Sequence, residues 1–366
     1  MNTTQRTEIM QRWAVLQHEL MPELREEVGA LTPRLEKLIH ILDWVRIEEF
    51  TVSTWNGLGR PPHDRGPFSN AFVAKAVLGL GTTVGLIERL NMDRALRRIC
   101  GFSMWKRLPD ESSFSRAFAE FSEGRLAERV HEALIKEHLG DELIGHISRD
   151  GTAIEAREKP AKKDPAPVAK KVSRGRPRKG EVRETKLTRI GQQLKQSLAQ
   201  IIADLPQRCD RGTKCNAQGY KNSWNGYKLH LDTADCGVPV SALLTSASVH
   251  DSQTAIPLAK MTADRVTNLY DLMDAAYCSD ELRAYSRSLG HVPLIDHNPR
   301  GGEKKPFTPD EGQRYKERTQ AERANGRLKD DFGGRYVRVK GPAKVMSHLM
   351  FGILALSADQ LMRLLT

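Results

Sequence analysis

The chain has 366 residues, a formal net charge of +11 and a pI near 9.4, which allows two domains and favours a polyanionic partner. Five scattered cysteines (Cys100, Cys209, Cys215, Cys236 and Cys278) give no disulfide framework and fit a reducing compartment, and Cys209 with Cys215 lacks the second pair a structural zinc site needs. Met1 to Glu8 lacks the charged-then-apolar run of a secretory signal, and the best apolar stretch, Leu349 to Ala358, is about half of the roughly 20 residues that span a bilayer, so a soluble, cytoplasmic protein is expected.

Residues 1 to 140 read as helical throughout. Thr32-Pro33 opens a helix with Leu35, Leu38, Ile39 and Leu42 on one side. Another opens near Ser69, a short basic one covers Asn91 to Phe102, and a fourth begins at Pro109 and carries Phe114, Phe118 and Phe121. The last two are compatible with a DNA-binding helix-turn-helix presenting Ser112, Ser113, Ser115 and Arg116, and equally with a helical bundle whose core holds the phenylalanines. The pattern changes at Leu143 to Ile154, whose apolar alternation predicts a strand ending in Asp150-Gly151-Thr152. Asp150 there is either a turn residue or a carboxylate at a strand end, where a metal site can be built.

Residues 157 to 189 hold 13 Lys or Arg against 4 Asp or Glu, so this segment carries +9 of the chain's +11. With four prolines and few apolar residues it cannot bury enough surface to fold alone, which predicts a disordered basic insertion. Within it Arg174-Gly175-Arg176-Pro177-Arg178-Lys179 resembles an AT-hook core, which would lay Arg174, Arg176, Arg178 and Lys179 along the minor groove of DNA; a generic basic linker has the same composition. A helix from Leu187 to Ala203 follows. Asn225–Ala234 and Val238–Thr245 then read as a hairpin turning at Asp235-Cys236-Gly237, and a helix follows with Asp251 or Ser252 at its cap. His230 and His250 read more readily as packing or capping residues than as catalysts. Leu269 to Tyr277 is a short strand whose end carries Asp274, which by itself could cap a helix starting near Ser279, and His291 to Asp296 is a fifth strand.

Thr308 to Phe332 reads as one helix, with Thr308 as cap, Pro309 at its first position, Glu311 completing a capping box, and Gly333-Gly334 as its stop. At about 100° per residue, Tyr315, Arg318, Glu322 and Lys329 share a stripe about 60° wide, while Ala321, Ala324 and Leu328 form an apolar face that could dock on a sheet. A closing helix, Ala343 to Leu365, completes the chain.

The spacing Tyr-x2-Arg-x3-Glu-x6-Lys resembles the carboxyl-terminal signature of bacterial insertion-sequence transposases of the DDE type. The sequence Asp274-Ala275-Ala276-Tyr277 matches their second-aspartate motif, and Pro109-Asp-Glu-Ser-Ser-Phe-Ser-Arg116 is similar to a stretch of their helical amino-terminal domains. The resemblance, over about residues 143 to 365, implies an α/β, ribonuclease-H-like domain at 141–366: a mixed five-stranded sheet flanked by helices and interrupted at 157–189. An all-helical domain at 1–140 precedes it. It implies Asp150, Asp274 and Glu322 as catalytic residues and ligands of two Mg²⁺ ions, with Mn²⁺ able to substitute, because phosphoryl transfer needs hard oxygen donors. Arg318 and Lys329 would hold phosphates and Tyr315 the DNA backbone or a base. The partners implied are double-stranded DNA, both element ends and target, and a second copy of the chain on that DNA, with no membrane and a nucleoid-associated location. The activity implied is cleavage at element ends followed by strand transfer; the alternatives are a non-cutting DNA-binding protein of transposase descent and a plain nuclease.

Overall fold

The computed structural model describes residues 3–52, 57, 61–162, 187–215, 218–299 and 302–365. Six strands form one mixed sheet: β1 (Leu143–Glu155), β2 (Asp210–Cys215), β3 (Lys221–Ala234), β4 (Pro239–Ser246), β5 (Thr267–Met273) and β6 (Val292–Ile295). The order is β2-β3-β1-β5-β6, with β4 also paired to β3. The strands β1, β2 and β4 run antiparallel to β3, whereas β5 lies parallel to β1 and β6 parallel to β5. This is the expected ribonuclease-H-like α/β arrangement with one strand more than the sequence predicted. The addition, β2, reads Asp-Arg-Gly-Thr-Lys-Cys and is largely exposed, so it has no apolar alternation to announce it; its pairing to the first half of β3 makes it a strand.

The hairpin falls where turn chemistry puts it, with Gly237 at φ 80° and its N–H donating to Ala234 O at 2.8 Å. β1, however, does not end at Asp150. It runs on to Glu155 because β3 is long enough to pair Ile147–Glu155 with Gly226–Ala234, so Asp150-Gly151 is mid-strand and not a turn.

Side chains alternate across β1. Ser148, Asp150 and Thr152 meet the chain between Glu317 and Lys329. Arg149 points to the other face, where it forms a buried two-pronged pair with Asp232 (2.6 and 2.7 Å) that Thr262, from the helix Ala255–Ala263, also joins at 2.7 Å. Two hydrophobic clusters follow. One lies around Ile256, Leu258, Met273 and Ile295; the larger packs the sheet against the closing helix Pro342–Leu365 and the amino-terminal helices.

Those amino-terminal helices include Pro33–Val45 with its Thr32 cap, Gly66–Val77, Thr83–Met92, Arg94–Ile99, Glu111–Glu123 and Leu126–Leu139. The expected helix over Asn91–Phe102 is cut at Asp93, whose carboxylate accepts from Leu96 N at 3.0 Å and starts a new helix. Phe114, Phe118 and Phe121 are buried among Phe72 and Phe351 of the closing helix, as the bundle reading requires. Ser112, Ser115 and Arg116 face solvent, but Ser113 is buried. The closing helix is long and apolar enough to cross a membrane by length and composition, yet 83% of that window is buried inside the protein, as suits a core helix.

Two predicted helices are interrupted. Leu187–Ala203 becomes Arg189–Gln193 and Leu198–Asp204, because Ser197 and Gln200 form a capping box between them. Thr308–Phe332 starts with its predicted capping box and stops at Gly333 (φ 76°), but breaks into Pro309–Tyr315, a 3₁₀ turn at Lys316–Arg318, and Thr319–Asp330. The break faces the sheet, where Ser148 Oγ donates to the carbonyl of Glu317 at 3.1 Å and satisfies a group that the tightened turn frees.

Candidate active site

Two strands bring Asp150 and Asp274 together at one end of the sheet, while Glu322, on a helix over it, stays apart in a pair with Arg318. β1 and β5 are parallel neighbours with Arg149 opposite Met273. The next residues, Asp150 and Asp274, therefore stand side by side on strands about 4.8 Å apart. Asp274 is where β5 gives way to a 3₁₀ turn, Ala275–Tyr277, and its Oδ1 accepts from Ala276 N at 2.9 Å. It thus caps that turn and not the helix Asp280–Ser288.

The helix Thr319–Asp330, which carries Glu322, lies over this strand end. Its buried residues are Ala321, Ala324, Asn325 and Leu328, three of them the apolar face expected for docking. Asn325, 5% exposed, donates through Nδ2 to Asp150 Oδ2 at 3.1 Å. Lys329 Nζ donates to Thr152 Oγ1 at 2.6 Å, two residues further along β1. Glu322, one turn before Asn325, is exposed and paired with Arg318. Tyr315, ahead of the 3₁₀ turn, does not point freely outward: its hydroxyl donates to Met273 O at 3.1 Å, beside Asp274, and its ring packs on Phe307 at 4.7 Å between centroids. Tyr315 and Lys329 thus contact β5 and β1, and Arg318 pairs with Glu322 between them, although the helix is broken, because the turn bends the chain around the ends of β1 and β5.

The electrostatics are those of buried carboxylates. Burial pushes the Asp150 carboxyl up to about 6, with Arg318 opposing and the negative charge of Asp274 adding to the rise. Burial also raises Asp274, opposed first by the Ala276 N–H it accepts from and then by Arg318 and Lys214, with Asp251 adding to the rise. Lys329 is lowered by burial and by the nearby Arg335 and Lys214, and burial pushes the Tyr315 hydroxyl up to about 12. Asp150 and Asp274 offer hard oxygen donors raised first by burial, Asp150 also by the charge of Asp274, and a divalent cation between them would relieve both. Among the described residues no three His, Cys, Asp or Glu side chains are drawn together into a metal-holding group; Glu322 is engaged by the Arg318 guanidinium.

Three neighbours of the site were missed by sequence reasoning. Asn325 had a signal, since it follows Glu322 by three residues and falls on the same side of the helix. Lys214 had none, because its strand was not recognised. Asp251 was read only as a helix cap; it begins the 3₁₀ turn Asp251–Thr254. Arg174, Arg176, Arg178 and Lys179 lie outside the described residues.

Comparison with known families finds two matches. A family model described as Transposase DDE domain matches residues 146–358, and one described as Transposase domain (DUF772) matches residues 22–120. No curated protein and no solved structure matched the chain. The first match takes in β1 with Asp150, the end of β5, the glutamate helix and most of the closing helix, more than half of the 366 residues. The chain belongs to the DDE transposase family.

Proposed function

We propose that this transposase cuts DNA at the ends of an insertion sequence and joins the freed ends to target DNA, with Asp150, Asp274 and Glu322 as its catalytic carboxylates. The observation that carries the reading is the register of β1 on β5, which sets Asp150 beside Asp274 under a helix whose Asn325 holds Asp150. The three carboxylates would hold two Mg²⁺ ions, with Mn²⁺ as a substitute; when bound, such ions activate the attacking oxygen and stabilise the leaving one. Glu322 joins Asp150 and Asp274 once Arg318 turns from it to a DNA phosphate. Arg318 is suited to that exchange, since its fork serves carboxylate and phosphate alike. Lys329 holds a second phosphate along β1, and Tyr315 packs against backbone or base.

In this reading residues 141–366 are the catalytic domain and 1–140 a helical domain that contributes DNA contacts. The insertion at 157–189, with Arg174, Arg176, Arg178 and Lys179, adds affinity through phosphates. Two copies act together on the paired element ends. The test is a strand-transfer assay on element-end DNA with Mg²⁺ or Mn²⁺. Glu322→Gln should abolish cleavage and joining yet keep DNA binding; full activity in that variant would refute the site, and cleavage without joining by the unaltered protein would make it a nuclease.

A further inference from the structure

Behind Asp150, on the face of the sheet away from the glutamate helix, three polar side chains converge on Gly151. Lys228 and His230 are alternate residues of β3, and His230 pairs directly with Gly151. The Lys228 ammonium donates to Asp251 Oδ1 at 2.9 Å and to Val249 O at 2.8 Å, which fixes the Asp251 carboxylate against the sheet. His230 is fully buried. Its Nε2 lies 2.9 Å from Thr245 Oγ1, whose hydroxyl donates onward to Ser246 O, so Nε2 carries the proton and Nδ1 presents a lone pair. That Nδ1 has no hydrogen-bond partner among the described residues and stands 3.8 Å from Asp251 Oδ1.

Both atoms crowd the backbone beside Asp150. A Cβ at residue 151 would meet His230 Nδ1 at 2.9 Å and Asp251 Oδ1 at 3.2 Å. Only glycine lets a carboxylate oxygen and an imidazole lone pair approach the strand this closely. Two acceptors are poor partners for one another, so Nδ1 leaves the Asp251 charge uncompensated on its side, and Asp251, a quarter exposed, can act on a hard cation and its waters. The negative charge of Asp251 also acts on Asp274 and Tyr277, across the end of β5.

We propose that Asp251 is a fourth acidic group of the cation site, a positioning residue held by Lys228 beside the unprotonated His230 Nδ1, which strengthens cation binding from behind Gly151. The inference rests on the reading of Asp150 and Asp274 as cation ligands. Neutralising Asp251 removes its charge and leaves the Lys228 ammonium uncompensated at the same spot. Loss of such an outer group weakens metal affinity by about 10- to 100-fold.

The experiment measures Mn²⁺ binding to the full chain without DNA, from the free-ion electron paramagnetic resonance signal, for the unaltered protein and for Asp251→Asn, Asp251→Glu and Asp274→Asn. Asp251 is a quarter exposed, so the isosteric change keeps the fold, which a thermal melt checks. Expected are about tenfold weaker binding in Asp251→Asn, partial recovery in Asp251→Glu, and loss of the site in Asp274→Asn. Unchanged affinity in Asp251→Asn beside loss in Asp274→Asn would overturn the inference alone. Unchanged affinity in Asp274→Asn would overturn the ligand reading and the inference with it.

Discussion

Asp150→Asn should make the metal-free protein more stable while removing its activity. The carboxyl of Asp150 is raised from an ordinary 3.8 to about 6, first by burial and then by Asp274, against the pull of Arg318. A folded-state value above the unfolded one means the folded chain binds the proton more tightly. The charged form is therefore the destabilising one, and the cost sets in as pH rises from about 4 through about 6. At about 1.4 kcal/mol per pH unit, it amounts to about 3 kcal/mol above pH 6 as an upper figure. Asparagine removes that cost and keeps an oxygen to accept from Asn325. Urea unfolding of both proteins in EDTA, from pH 4 to 8, checks this. The variant's advantage should be small at pH 4, grow through pH 6 and stay level beyond, and saturating Mg²⁺ should close part of the gap by stabilising only the unaltered protein. An advantage that is absent, or that shrinks as pH rises, would refute the account of Asp150 as a carboxylate held against its own burial.

Further outcomes follow from the same geometry. Arg149→Ala should cost about 3–5 kcal/mol in urea unfolding, because it leaves the Asp232 carboxylate, fully buried, with Thr262 but no cation; a loss below about 1 kcal/mol would contradict the pairing. Gly151→Ala should destabilise the fold by about 1–3 kcal/mol and weaken Mn²⁺ binding, since its methyl displaces His230 and Asp251; wild-type values on both counts would exclude the close approach. Deletion of residues 160–180 should weaken DNA affinity and flatten the slope of log affinity against log salt by about one for each phosphate the insertion neutralises. An unchanged slope would remove the insertion from the DNA interface.

The amino-acid sequence alone determined the signals that are local. The Thr308-Pro309-Glu311 start, the Gly237 turn and the apolar face of Ala321, Ala324 and Leu328 each depend on residues within a few positions of one another, and each appears where it was read, whereas β3 and β4 are strands without the expected alternation, β4 being buried throughout. The spacing from Tyr315 to Lys329 also marked residues that fall around the ends of β1 and β5, Tyr315 on Met273 and Lys329 on Thr152. Tertiary structure decided what depends on distant partners. Whether Asp150 ended a strand or lay inside one was set by the length of β3, far downstream in the chain, and β2 became a strand only because β3 offered it an edge. The helix at Lys316–Arg318 broke because Ser148, on a strand far away in the chain, takes up the carbonyl of Glu317. Asp251, His230 and Lys228 gather behind Gly151 for the same reason: cross-strand register and the space left by a missing Cβ are properties of the folded sheet, and no local pattern encodes them.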